Sequence, residues 1–184
     1  MSKKIVVLTG SPRKNGNSFA MTDAFIEACK VKGCEVSRFD TAFMNVNGCT
    51  ACQNCFKKEQ KACCQNDDFN TIASAIEIAD AVVFSCPVYW YGVPSNLKAV
   101  IDKFYAFSVG QKIHSMAGKK AALITCWEES GLDVGDGVKF TYLRSVCFLG
   151  WNSVGEVAVP GIDQEGDVLR TNGIQQAVKL AELV

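Results

Sequence analysis

What this chain has little of narrows its chemistry first. It carries a single histidine, His114, whereas metal hydrolases draw on several histidines or carboxylates as ligands. His114 precedes Gly118 in a polar stretch and reads as a solvent-facing side chain. Net charge is also missing: 19 basic residues balance 19 acidic ones, so no overall field would hold the chain on nucleic acid or an anionic membrane. No apolar run approaches the roughly 18 residues of a membrane span. The first apolar run, Ile5-Val-Val-Leu8, stops well short of the ~7–15 residues an export signal needs. The expectation is a cytoplasmic protein without nucleic-acid or membrane partners. Three signatures are absent as well. Gly10 and Gly16 enclose five residues and Asn17 stands where a nucleotide-hydrolysing loop needs lysine. Gly135-Asp136-Gly137 lacks the third glycine of a dinucleotide loop, and there is no Gly-x-Ser-x-Gly elbow.

What remains is ample core material. Apolar residues make up 48% and charged residues 21% of 184, which fits one domain spanning residues 1–184. Strand-like runs fall at Ile5–Thr9, Glu35–Asp40, Ala81–Cys86, Ala121–Cys126 and Ser153–Val159. Helical patterns fill Ser18–Lys32, Phe69–Ala79, Ser95–Phe107, Val138–Leu149 and Asn172–Leu183. Five alternations of strand and helix, with strands apolar almost throughout, predict an α/β doubly wound five-stranded parallel sheet. They suit the strand order 2-1-3-4-5, which places a ligand crevice between the first and third strands. Only the connection from Thr41 to Asn66 is too long to be ordinary, and it forms a Cys-rich insertion after the second strand.

The first strand runs directly into Gly10-Ser-Pro-Arg-Lys-Asn-Gly-Asn-Ser18. Small polar residues at such a turn bring N–H groups and hydroxyls onto an anion at a helix N-terminus. Ser11, Asn15, Asn17 and Ser18 are candidate phosphate donors, and Arg13 a charge partner. The alternative is a plain serine-capped helix with an exposed arginine.

This loop, the run Cys49-x2-Cys52-x2-Cys55, the pair Asp67-Asp68, and Pro87-Val-Tyr-Trp-Tyr-Gly-Val-Pro94 together resemble the NAD(P)H-dependent FMN reductases, and within them the iron-sulfur flavoproteins. Leu149-Gly-Trp151 with Gly166-Asp167 looks like that family's final strand region. The resemblance implies a flavodoxin-like fold, bound FMN and assembly as a homodimer or homotetramer.

Pro87, Val88, Tyr89, Trp90, Tyr91 and Gly92 follow the third strand. Three consecutive aromatics on one loop cannot all enter one core, whereas a flat ring system offers them stacking and edge contacts; an interface patch is the alternative. Gly92 would let backbone N–H groups approach the ring. Ser95 is the expected cap of the next helix, and Lys98, Asp102 and Lys103 on it are expected to be solvated or structural. Thr125-Cys-Trp-Glu-Glu-Ser130 could add a third wall, but the candidate site leaves it out.

Ten cysteines without an export signal point to reduced thiols or metal ligands. Cys29, Cys34, Cys86, Cys126 and Cys147 are scattered through apolar segments and read as small core residues. The other five cluster between Cys49 and Cys64. Cys49, Cys52, Cys55 and a later cysteine have the spacing logic of a 4Fe–4S site. The resemblance favours Cys63 as the fourth ligand, because it places that ligand ahead of the Asp67-Asp68 pair, although Cys64 is adjacent. The loop follows the second strand and is expected to emerge on the flavin's edge of the sheet. Structural zinc and free or disulfide-forming thiols are the alternatives.

The functional expectation is an FMN oxidoreductase that takes a hydride from NAD(P)H and passes electrons to a quinone or redox protein, with a 4Fe–4S cluster as a second centre. No side chain need act as acid or base, because the cofactor carries the chemistry. An electron carrier without turnover and a flavin-free zinc domain are the rivals.

Overall fold

In the computed structural model, residues 2–56, 62–108 and 116–184 are described, with Phe56 by its backbone alone. His114 lies outside them. The expected alternation appears. β1 (Lys4–Thr9), β2 (Glu35–Asp40), β3 (Ala81–Pro87), β4 (Lys120–Cys126) and β5 (Asn152–Val159) form one parallel sheet in the order β2-β1-β3-β4-β5. Interleaved with them are α1 (Asn17–Val31), α2 (Phe69–Glu77), α3 (Ser95–Asp102), α4 (Asp136–Phe148) and α5 (Gly173–Leu180).

Alternation along each strand divides the core into two layers. Val6, Leu8, Val82, Phe84 and Leu123 face α2, α3 and α4. Ile5, Val7, Val83, Ile124 and Val157 face α1 and α5. Both strand faces are therefore covered, which explains why their sequences show no polar side.

The differences from expectation are local. The helix predicted over Ser95–Phe107 stops at Asp102 and tightens into a 3-10 turn over Lys103–Phe107. Pro94 occupies its N-cap position and no side chain caps it, so Ser95 is the first helical residue rather than the cap. Cys29, Cys86 and Cys126 are core residues as expected, but Cys34 is only half-buried and Cys147 is exposed on α4. Lys98 and Asp102 form an exposed i,i+4 pair. Lys103 instead is buried against the equally buried Asp67 and also donates to Gln65 Oε1 at 2.9 Å. No helix among the described residues is long and apolar enough to cross a membrane.

Candidate functional site

The loop after β1 is built to hold its shape. The Thr41 hydroxyl donates to the carbonyl of Thr9 at 2.7 Å, while the Thr9 hydroxyl donates to Asp40 Oδ1 at 2.8 Å, so the strand end is tied to the end of β2. The Arg13 N–H donates to Ser11 Oγ at 3.1 Å, and the Gly16 N–H donates to Arg13 O at 3.0 Å. A Cβ on Gly16 would sit 3.1 Å from that carbonyl, so the turn closes most easily around glycine. α1 follows with no acidic residue in its first turn, leaving its positive end free to favour an anion. Among the described residues the Ser18 hydroxyl makes no hydrogen bond, and Ser18 is nearly buried. Asn17 also has a structural part. Its side-chain amide donates to Gln164 O at 2.9 Å, and its oxygen accepts from the N–H groups of Gly166 and Val168 at 3.1 and 3.2 Å. It latches the segment after β5 onto α1, which commits one of its two amide N–H donors to the fold.

The aromatic loop after β3 makes a tight turn. Tyr89 and Gly92 exchange two backbone hydrogen bonds, at 2.9 and 3.0 Å, and the two residues between them carry positive φ, 48° at Trp90 and 61° at Tyr91. Bulky side chains rarely adopt that conformation, so the surroundings must enforce it. One contact does. An added Cβ on Gly137 of α4 would lie 2.0 Å from the Tyr91 carbonyl oxygen, which shows how closely the turn rests on that helix. The Glu129 carboxylate near its phenol raises the Tyr91 pKa above the ordinary tyrosine value. The turn leaves Trp90 95% exposed, a large apolar ring projecting beside the carboxyl edge of the sheet.

These two loops flank a cavity of about 740 Å³ at that edge, in the range of cofactor pockets. Ser11, Arg13, Asn17 and Ser18 line one side, and Pro87, Val88, Tyr89 and Trp90 another. Asn15, Tyr91 and Gly92 are not among the lining residues. The end of β4 and the loop after it, outside the candidate site read from the sequence, contribute Cys126, Trp127 and Glu128. Burial holds the Cys126 thiol protonated, with its pKa pushed up to about 12. The segment Ile162–Glu165 was missed entirely. Its signal was positional: it follows the last strand at the same sheet edge, between Gly161 and Gly166, both at positive φ. Backbone bonds from Trp127 N–H to Val159 O and from Ile162 N–H to Trp127 O lock these two loops together at 3.1 and 3.0 Å. Glu128, Asp163 and Glu165 make their part of the lining acidic, opposite the cationic phosphate loop.

The five clustered cysteines line a second, separate cavity with Lys103, Tyr105 and Ala106. It shares no lining residue with the first. Lys103, Tyr105 and Ala106 belong to the turn that follows α3. Cys52 Sγ and Cys64 Sγ are 3.4 Å apart. The Asn54 N–H bonds to Cys52 and lowers its pKa, whereas burial raises that of Cys55. The space between the thiols is about 30 Å³, room for a water but not for a four-iron cube. Among the described residues no three His, Cys, Asp or Glu side chains are arranged to hold a metal ion. As placed, the thiols therefore do not form the expected cluster ligand set.

Comparison with known proteins adds the following. Residues 3–159 match the family model described as NADPH-dependent FMN reductase. An iron-sulfur flavoprotein of Archaeoglobus fulgidus is 35% identical over 104 residues, covering 56% of this chain and 46% of the relative. One from Methanosarcina thermophila is 35% identical over 103 residues, covering 54% and 51%. The matches thus span about half the length of these relatives. In structure, the chain is similar to an NAD(P)H:quinone oxidoreductase from Methanothermobacter marburgensis with a TM-score of 0.78, at 19% identity over 98% of this chain and 95% of the other. That likeness establishes the flavodoxin-like fold.

Proposed function

The chain belongs to the NADPH-dependent FMN reductase family, and from that premise we propose that it is an FMN-dependent oxidoreductase using NAD(P)H, with a quinone or a redox protein as acceptor. The observation that carries the proposal is the cavity at the carboxyl edge, where a donor-rich helix N-terminus and a strained aromatic turn face one space. That combination fits a phosphate at one end and a flat ring at the other.

When bound, FMN supplies the hydride-accepting and electron-passing chemistry. The chain's own residues bind and orient. Ser11, Ser18, Arg13 and the first N–H groups of α1 would receive the phosphate. Pro87, Val88, Tyr89 and Trp90 would set the ring plane, with Trp127 limiting it from the β4 side. Glu128 and Trp90 at the rim leave a cleft for the second substrate. Nothing in this arrangement requires a side-chain acid or base. The exposed Trp90, together with Phe140 and Phe148, which are 67% and 65% exposed on α4, supports a homodimeric or homotetrameric assembly. The expected 4Fe–4S cluster on Cys49, Cys52, Cys55 and Cys63 carries no step here, because the thiols as placed do not present that set.

Fluorescence titration of the apoprotein with FMN, followed by anaerobic addition of NADH or NADPH and a quinone, tests the reading. Stoichiometric FMN and quinone-dependent nucleotide oxidation are expected. Bound flavin that neither nucleotide reduces would overturn it in favour of an electron carrier.

A further inference from the structure

The walls of the cavity at the carboxyl edge carry opposite charge. Among its described lining residues Arg13 is the sole cation, while Glu128, Asp163 and Glu165 bring three carboxylates. On the Arg13 wall Ser18 is only 3% exposed, and its hydroxyl makes no hydrogen bond among the described residues. A buried donor of that kind calls for an acceptor such as a phosphate oxygen. The acidic wall is held by its backbone rather than by counter-charge. The Gly161 N–H donates to Glu129 O at 2.9 Å, next to Glu128. The N–H groups of Asp163 and Gln164 donate to Asp167 Oδ2 at 3.2 and 2.8 Å, which fixes the chain that carries Asp163 and Glu165. All three side chains are exposed, and among the described residues no lysine or arginine pairs with them. Lys139 pairs with Glu156 at 3.8 Å and Arg170 with Asp167 at 3.6 Å instead. Gln164 Nε2 donates to Asp163, a neutral partner that leaves the charge in place.

On the FMN-binding reading, on which this rests, the phosphate takes the Arg13–Ser18 end and the ring lies against Pro87–Trp90, so the lining left for a second substrate is the acidic wall. We propose that Glu128, Asp163 and Glu165 set the specificity of that cleft by charge: they admit an uncharged quinone ring and repel an anionic one. The redox step is the same for both. Reduced FMN gives up two electrons and two protons and becomes oxidised FMN, and the quinone takes them up to become a hydroquinone. A neutral ring approaches without electrostatic cost and has the Trp90 face to stack on. A ring bearing a sulfonate brings a fixed negative charge. Two like unit charges about 4 Å apart in water disfavour binding by roughly fivefold, and salt screens exposed charges beyond about 8 Å at physiological ionic strength. The wall therefore acts on a charge that enters the cleft, with a discrimination of about tenfold at low salt.

The test uses the whole chain loaded with FMN and photoreduced anaerobically, so that no nicotinamide is needed. It is mixed rapidly with naphthoquinone or with naphthoquinone sulfonate, and flavin reoxidation is followed by absorbance. The readout is the ratio of sulfonate to neutral rate, compared between proteins so that the intrinsic reactivity of the two quinones cancels. The triple variant Glu128→Gln, Asp163→Asn, Glu165→Gln should raise that ratio about tenfold. Added salt should raise it in the parent and not in the variant. The dissociation constant of the sulfonate for the oxidised holo-protein, read from the perturbed flavin spectrum without turnover, should fall by a similar factor in the variant. Glu27→Gln, ten residues into α1, removes one charge elsewhere and should leave the ratio where it is. A ratio that the triple variant does not move, or that Glu27→Gln moves as much, would overturn the proposal while leaving the FMN reading intact. A chain that retains no FMN would overturn both.

Discussion

At the scale of single residues, the site divides into side chains offered to a ligand and side chains spent on the fold. Arg13→Ala and Ser18→Ala belong to the first group. Each should raise the FMN dissociation constant roughly 5- to 150-fold, the effect of losing about 1–3 kcal/mol of contact, with little change in the unfolding midpoint. Fluorescence titration beside a thermal melt separates the two effects. Asn17→Ala belongs to the second group, because three hydrogen bonds across α1 and the 164–168 segment depend on it. It should lower the melting temperature and weaken FMN together, the buried N–H groups of Gly166 and Val168 having lost their acceptor. The buried thiols set a pH limit of the same local kind. Cys29 and Cys126 are raised by burial to about 11 and about 12. Each favours the protonated form in the folded state, so its contribution is complete below the unfolded thiol's pKa and is lost as pH climbs through the folded value. Stability should therefore fall from about pH 9 to pH 12, by up to roughly 1.4 kcal/mol per pH unit for each such thiol. Cys126→Ala should flatten that slope in denaturant titrations, and an unchanged slope would rule out this cause.

At the scale of elements, the aromatic turn shows how one helix shapes a neighbouring loop. Trp90 and Tyr91 are poor residues for positive φ, and they hold it where Gly137 lets α4 approach the Tyr91 carbonyl. Gly137→Ala must push the turn away from the helix. The expected outcome is weaker FMN binding and a changed tryptophan emission, with the sheet's circular dichroism retained; unchanged affinity would show that the turn's position does not matter to the ring. The sequence identified this loop as a platform from its three successive aromatics and its place after a buried strand. It did not reveal the turn's handedness, because nothing local favours positive φ there and the constraint comes from a helix more than 40 residues away. The β4 and β5 loops were harder still, since their part in the cavity rests on backbone bonds between Trp127, Val159 and Ile162, which no side-chain pattern encodes.

At the scale of the whole molecule, the buried pair Lys103–Asp67 joins the start of α2 to the end of α3 and backs the cysteine cavity. Asp67 also accepts from the N–H groups of Asn47 and Phe69, at 2.9 and 3.2 Å, so its carboxylate organises three segments. Lys103→Met would strand that charge and should cost about 3–5 kcal/mol, while Lys103→Met with Asp67→Asn should recover much of the loss. Chemical denaturation of the two variants decides it, and equal midpoints would show that the unpaired charge was not the cause. A lysine in a helical pattern beside Asp102 reads from sequence as a surface residue, and only the packing of the 3-10 turn against the loop buries it. What the sequence by itself determined is everything governed by local periodicity and chain order: five apolar strands, the helices between them, the order 2-1-3-4-5, and hence a ligand crevice at the carboxyl edge beside the loop Gly10–Ser18. What only the tertiary structure decided is which side chains are free to act there. Hydrogen-bonding partners far apart in sequence tie Asn17 to the segment after β5, add Trp127 and Ile162 to the cavity and bring Cys52 against Cys64, because burial and pairing are properties of the packed chain rather than of any single segment.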